Sequence, residues 1–144
     1  MSGYVLTLKT RLGAYLDARP LSPELCALPL EQVLAIPLHY GRTRAMVADL
    51  FDISPTPENA LALRGDLSLC QFVGAGMASG TLIAENPVGN GAGEGMRGGK
   101  LLLEHAGNDA GIAMEDGLLG IHATGGDRFH VVNTRVRDNG LIVG

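Results

Sequence analysis

A glycine-rich pattern recurs every 18 or 19 residues in the second half of this chain, and few folds accommodate so short a period. Three segments align: Gly74-Ala-Gly-Met77-Ala-Ser-Gly80-Thr-Leu-Ile-Ala-Glu85, Gly93-Glu-Gly-Met96-Arg-Gly-Gly99-Lys-Leu-Leu-Leu-Glu104 and Gly111-Ile-Ala-Met114-Glu-Asp-Gly117-Leu-Leu-Gly-Ile-His122. A helix–turn–helix repeat needs over ~30 residues, so it does not fit. One turn of a coiled β-solenoid does, with each coil stacked on the last at the ~4.8 Å spacing of paired strands. A degenerate copy follows at Arg137-Asp-Asn-Gly140-Leu-Ile-Val-Gly144, where Gly140 trails Gly117 by 23 residues and implies an insertion. Leu61-Ala-Leu63 before Gly65-Asp66 suggests an earlier copy.

Phase within the repeat sorts inside from outside. Glycine suits the sharp corners of a coil, which need positive φ or close backbone approach. Two rows of corner glycines are expected: Gly74, Gly93, Gly111 and Gly80, Gly99, Gly117. Counted from the last glycine of each copy, positions two and four read Leu82, Leu101, Leu119, Ile142 and Ala84, Leu103, Ile121, Gly144; these point inward. Met77, Met96 and Met114 form a further inner row. The odd positions point outward. The first reads Thr81, Lys100, Leu118, Leu141. The third reads Ile83, Leu102, Gly120, Val143, which is too apolar for a solvated face. Ile83, Leu102 and Val143 are therefore a candidate partner face. The fifth, Glu85, Glu104 and His122, stacks two carboxylates in one column. A basic group or a cation would relieve their repulsion, and two solvated glutamates splaying apart is the plainer alternative.

Composition divides the chain at the same place as the repeat. Of 21 glycines only Gly3, Gly13, Gly41 and Gly65 precede residue 74, while six of the seven prolines lie at or before Pro57. Residues 1–57 are expected to form a small α+β cap and residues 58–144 the repeats. In the cap, Tyr4-Val-Leu-Thr-Leu-Lys9 alternates like a strand. Ser22-Pro23-Glu24 reads as a helix start. Leu30-Glu-Gln-Val-Leu-Ala35 is a short helix ended by Pro37. A hairpin turns about Gly41-Arg42, and Ala48-Asp-Leu-Phe-Asp52 is a short helical turn or a loop. The expected fold is mainly β: a short right-handed parallel β-helix of four or five coils from about Leu61 onward, with parallel ladders, its open end covered by the cap.

Other features exclude function classes. A net charge of −4 without a basic run argues against nucleic acid and anionic membranes as partners. Hydrophobic residues make up 46%, which excludes a disordered chain. No apolar run approaches the ~18 residues of a membrane span, and the N-terminus does not read as a signal peptide, so a cytoplasmic setting is expected. Two cysteines, Cys26 and Cys70, make no disulfide framework and read as small buried residues. No Cys-x-x-Cys occurs, and His39, His105, His122 and His130 form no metal-ligand spacing. Gly89-Asn-Gly-Ala-Gly-Glu-Gly95 lacks the Gly-Lys-Ser/Thr ending of a phosphate loop and repeats at the coil period. Asp66, Asp109 and Asp127 sit beside glycines as turn residues. No catalytic, cofactor-binding or metal-binding residue is assigned.

Two parts of the chain carry a family resemblance. Gly93-Glu-Gly-Met-Arg-Gly-Gly-Lys-Leu-Leu-Leu is similar to the GXGXG β-helix found in the C subunit of formylmethanofuran dehydrogenase and in the C-terminal domain of glutamate synthase. Leu6-Thr-Leu-Lys9, Ile36-Pro-Leu-His-Tyr-Gly-Arg-Thr-Arg44 and Val47-Ala-Asp-Leu-Phe-Asp-Ile53 resemble the start of that same C subunit. The resemblance covers nearly the whole chain, although members of that family have more coils. It implies a non-catalytic scaffold subunit of a formylmethanofuran dehydrogenase-like or formyltransferase/hydrolase complex in one-carbon metabolism. Metal and pterin chemistry would then reside on other subunits, and the partners would be those subunits or a second copy of the chain. The alternative is a stand-alone GXGXG protein beside a glutamate-synthase or amidotransferase-like system. A left-handed acyltransferase helix is disfavoured, because no six-residue period is present.

Overall fold

The computed structural model describes residues 3–105, 107, 109–122 and 129–135. The protein is mainly β, with a few short helices and two mixed sheets. In chain order the elements are β1 (Gly3–Leu8), β2 (Leu16–Asp17), a 3-10 turn (Pro23–Ala27), α1 (Leu30–Leu34), β3 (Pro37–Tyr40), β4 (Thr43–Met46), α2 (Val47–Leu50), β5 (Phe51–Thr56), β6 (Leu61–Arg64), β7 (Cys70–Gln71), β8 (Thr81–Ala84), β9 (Lys100–Leu103), β10 (Asp116–His122) and β11 (Phe129–Arg135). Among the described residues, no helix is long and apolar enough to cross a membrane.

The larger sheet has the order β11-β10-β9-β8-β6-β1-β5. Its five middle strands are parallel, and each is paired with the strand one repeat away. Register follows the phase read from the sequence: Leu61, Leu82, Leu101 and Leu119 stand in one column, Leu63, Ala84 and Leu103 in the next. Both columns are buried, as are Met77, Met96 and Met114. Each buried leucine contributes on the order of 1.5–3 kcal/mol by leaving water. The ladder also reaches back into the N-terminal segment. Leu6 of β1 pairs beside Leu63 and is fully buried, so the first strand of the chain is also the first rung.

Both ends of this parallel ladder are finished by an antiparallel strand. At one end β5 pairs with β1, and at the other β11 pairs with β10. The second pairing corrects the expectation of parallel ladders from Leu61 onward, which holds from β6 to β10 and fails at β11. The extra residues after Gly117 give room for the chain to reverse, and antiparallel neighbours can be joined by a far shorter connection than parallel ones. The fourth copy at 137–144, including Val143, lies outside the described residues, as does Asp127. Pro55 sits in β5, the edge strand, where its missing N–H removes no ladder bond on the solvent side.

The smaller sheet has the order β4-β3-β2-β7. β2 runs parallel to β7, so the first two coils meet on this side too. The expected short helix, hairpin and strand of the N-terminal segment appear as α1, β3–β4 and β1, and the expected helix start at Pro23 opens the 3-10 turn. Gly41 has φ +60 as the first central residue of the hairpin, as a type II′ turn requires.

Between the sheets the coils turn through a corner of alternating handedness. Phe72, Gly74 and Gly76, then Gly91, Gly93 and Gly95, then Asp109, Gly111 and Ala113 all have positive φ, every second residue. The alternation turns successive amides in opposite directions. Gly93 N–H donates back to the Val73 carbonyl at 2.8 Å, and Gly95 N–H donates forward to the Ile112 carbonyl at 2.8 Å. The corner is therefore stitched to both neighbouring coils.

Candidate functional site

The outward surface of the parallel ladder carries three columns. The central one contains Val5, Ala62, Ile83, Leu102 and Gly120 in register. Val5, Ala62, Ile83 and Leu102 are each half-buried, while the inward neighbours of the last three are fully or nearly fully buried. β-Alternation explains this: one face of each strand fills the core, and the other face meets solvent or a partner. Four apolar side chains in line across stacked strands make a stripe. Ile83 and Leu102 thus stand together on one face, while Val143 lies outside the described residues.

Beside this stripe runs the charged column. Glu85 and Glu104 follow the inward Ala84 and Leu103, which face each other on adjacent strands, and His122 occupies the next position along β10. Glu85 is balanced by Arg64, whose Nε donates to its carboxylate. Arg64 sits one repeat before Glu85, at the end of the Leu61-Ala-Leu63 copy. Extending the fifth phase backwards by one coil was the signal that would have found it. Both side chains are largely exposed, so the pair contributes at most about 1 kcal/mol.

Rows of glycine lie at the coil boundaries. Gly80, Gly99 and Gly117 have φ +82, +78 and +102. A Cβ on Gly99 would come within 2.7 Å of the Gly80 carbonyl oxygen and 2.9 Å of the Ser79 carbonyl carbon, so the preceding coil leaves no room for a side chain. The other row, Gly74, Gly93 and Gly111, lies at the centre of the stitched corners. Its flanking rows escaped sequence reading because Phe72, Asp109 and Ala113 interrupt the glycine pattern.

Two smaller polar groups complete the surface. Asp66 accepts hydrogen bonds from Ser68 Oγ at 2.6 Å and from Arg11 Nε at 3.3 Å. The bonds from Ser68 hold its carboxyl below the usual value, with Arg11 adding to the effect. Asp66 lines an open hollow with Gly65, Asn86 and Pro87, and serves the turn as expected. On the smaller sheet, Arg19 grips Asp17 through Nε and Nη2 and lies 4.7 Å from the centre of the Phe72 ring. Burial pushes the Asp17 carboxyl up, but the Arg19 hydrogen bonds and charge outweigh it, and the net shift is downward.

The thiols are poor nucleophiles. Cys70 is buried, and desolvation, reinforced by the charge of Asp66, pushes its pKa up to about 12. Burial raises Cys26 as well. A thiol held protonated neither attacks nor ligates readily. Among the described residues, no group of three or more His, Cys, Asp or Glu is placed to hold a metal ion. The feature with the character of an interaction site is the apolar stripe with its charged border.

No family model matches the chain. Two curated archaeal proteins, each the C subunit of a molybdenum-containing formylmethanofuran dehydrogenase 1, are 30% identical to it over 90 residues. They come from Methanothermobacter thermautotrophicus and Methanothermobacter marburgensis. The match takes in 60% of this chain but 22% of each relative, so the chain spans under a quarter of their length. A crystal structure of the formyltransferase/hydrolase complex from Methylorubrum extorquens, with methylofuran, contains a chain of the same fold. It superposes with a TM-score of 0.75 at 27% identity, over 82% of this chain and 45% of that one. The chain is a distant homologue of these proteins.

Proposed function

We propose that the chain is a non-catalytic scaffold subunit of a formylmethanofuran dehydrogenase-like or formyltransferase/hydrolase complex, acting in methanofuran-linked one-carbon metabolism in the cytoplasm. The observation that carries this reading is the likeness, over 82% of the chain, to a chain of the Methylorubrum formyltransferase/hydrolase complex. The parallel rungs and alternating corners are read as a right-handed β-helix of the GXGXG type. Residues 1–57 close its first end and residues 58–144 hold the repeats. The rows Gly74, Gly93, Gly111 and Gly80, Gly99, Gly117 keep its corners open. Metal and pterin chemistry falls to other subunits, and this chain binds no cofactor.

The docking face in this reading is the stripe of Ile83 and Leu102; the third candidate, Val143, lies outside the described residues. A row of half-buried aliphatic side chains loses little by staying in water and gains ~25 cal/mol for each Å² covered. The border of Arg64, Glu85 and Glu104, with His122 in the next rung, sets register for a partner more than it adds affinity.

Affinity purification of the tagged chain from its native host tests the proposal. The expected outcome is recovery with the catalytic subunits of a formyl-transfer complex in fixed ratio, and no formyl-transfer activity in the chain alone. Recovery of an active enzyme from the isolated chain would overturn it. So would a formyl-transfer complex that assembles and works unchanged in a strain lacking the chain.

A further inference from the structure

The hairpin β3–β4 stands apart from the docking stripe, on the smaller sheet, and has a different chemistry. β4 is the outermost strand of that sheet. Three of its four residues, Thr43, Arg44 and Met46, are exposed, as are Gly41 and Arg42 at the turn. Leu38, by contrast, is buried and holds the hairpin down. The register pairs Tyr40 with Thr43, His39 with Arg44, Leu38 with Ala45 and Pro37 with Met46. In a two-residue hairpin the pair closing the turn exchanges its hydrogen bonds, and the next pair does not. The bond from Val47 N–H to the Ile36 carbonyl continues that alternation. Arg44 therefore directs its N–H and C=O outward, away from β3, along an open edge. Met46 N–H is taken by the Asp49 carboxylate at 2.9 Å and Met46 caps α2, so the ladder groups offered along this edge are those of Arg44.

The side chains beside this edge are basic and apolar. His39, Arg44, Pro37 and Met46 share one exposed face, and Arg42 projects from the turn. Met46, one of the large exposed hydrophobic residues, flanks the group. Asp17 is paired with Arg19, and Asp49, which accepts from Met46 N–H, is the one acid on α2 beside three basic side chains, His39, Arg42 and Arg44. An open edge normally carries charge or a bulge that discourages pairing with a copy of itself. Arginines at this edge repel a second copy of the same strand, yet favour a strand of opposite charge.

We infer that β4 is a second docking edge, which accepts an extended acidic segment of a partner protein as an added strand. The Arg44 backbone groups supply the ladder bonds, and the Arg42 and Arg44 side chains meet carboxylates on the incoming strand. Apolar Met46 fits a peptide better than a phosphate backbone, and the chain's net charge of −4 opposes a long polyanion. The inference does not depend on the formyl-transfer reading, and its test uses the chain alone.

The test is a titration of the isotopically labelled full chain, followed by amide NMR, with an octapeptide of alternating Glu and Thr. Controls are a Lys/Thr octapeptide and a single-stranded oligonucleotide of equal negative charge. The expected result is amide shifts concentrated on 37–46, slowed hydrogen exchange at Arg44 N–H, and no response to the Lys/Thr peptide. Arg44→Glu should weaken binding by roughly tenfold, as reversal of an exposed charge contact does. Arg44→Lys, which keeps the charge, should stay close to the wild type. Three outcomes overturn the inference: no shift with the Glu/Thr peptide, shifts centred on another surface, or equal binding of the oligonucleotide at 37–46, which would mark a general polyanion contact.

Discussion

The stretch from Leu61 to His122 and the stretch from Ala18 to Pro57 are held together in opposite ways. In the first, every coil buries the same phases, so Leu82, Leu101 and Leu119 do one job three times. Each coil needs only its neighbours, and stability is close to a sum of identical interfaces. In the second, Leu21, Val33, Leu38, Val47 and Phe51 share no period, yet all are buried in the same core. They meet only because helices and antiparallel strands fold back over the first rung. A repeat extends itself from local sequence. Its ends do not, because a parallel sheet has no internal reason to stop, and each end here is finished by a strand of opposite direction.

The largest expected effect lies at a coil boundary. Gly99→Val places a branched side chain at φ +78 and against the backbone of Ser79 and Gly80. Backbone strain of this kind costs ~1–3 kcal/mol before any clash. With the clash added, the expected total exceeds ~3 kcal/mol, read as a loss of the cooperative melting transition or a drop of many degrees in Tm. A melting curve unchanged from the wild type would contradict the stacked corners.

Phe51→Ala tests the other region. Phe51 is fully buried where β5 begins, and its truncation should cost about 3–5 kcal/mol, measured by denaturant unfolding. If the two regions share one core, this variant lowers the transition of the repeats as well. A two-step unfolding curve with the repeat signal unmoved would separate the regions.

Gly95→Ala sharpens the comparison within the corners. A Cβ there meets nothing within 4 Å, and Ala113 already fills the same phase one coil later at φ +55. Only the conformational penalty remains, about 1 kcal/mol. A loss as large as that of Gly99→Val would mean that the corners are packed differently from the coil boundaries described above.

The smallest effect is electrostatic. Asp17 has a depressed carboxyl pKa in the folded chain, so its contribution is present above the unfolded value near 4 and is lost as pH falls through the folded value. Asp17→Asn should therefore lower stability at neutral pH slightly and leave it unchanged in acid. Equilibrium unfolding at both pH values checks the sign. A variant that is less stable only in acid would contradict it.

Much of this architecture was legible in the sequence wherever the chain repeats itself. Met96 and Leu101 announce their own burial through Met77 and Leu82, one coil earlier. The reversal into β11 was not legible, because the 23-residue spacing from Gly117 to Gly140 marks an insertion without giving its direction. Nor was β5, where Pro55 and Pro57 read as a boundary although an edge strand tolerates proline. At the candidate site Ile83 and Leu102 were visible from phase alone. Arg64 was hidden because its copy lacks the glycines that mark the others, and Phe72 because a bulky residue at φ +60 has no sequence signature.

Leu102→Asp, compared with the wild type in one purification from the native host, tests the docking stripe most directly. Leu102 is half-buried and points away from the core, so the exchange leaves the Leu101 and Leu103 columns intact. The predicted result is a melting temperature within a few degrees of the wild type, together with loss of the co-purifying subunits. A variant that retains its partners in the wild-type ratio would contradict the assignment of this face.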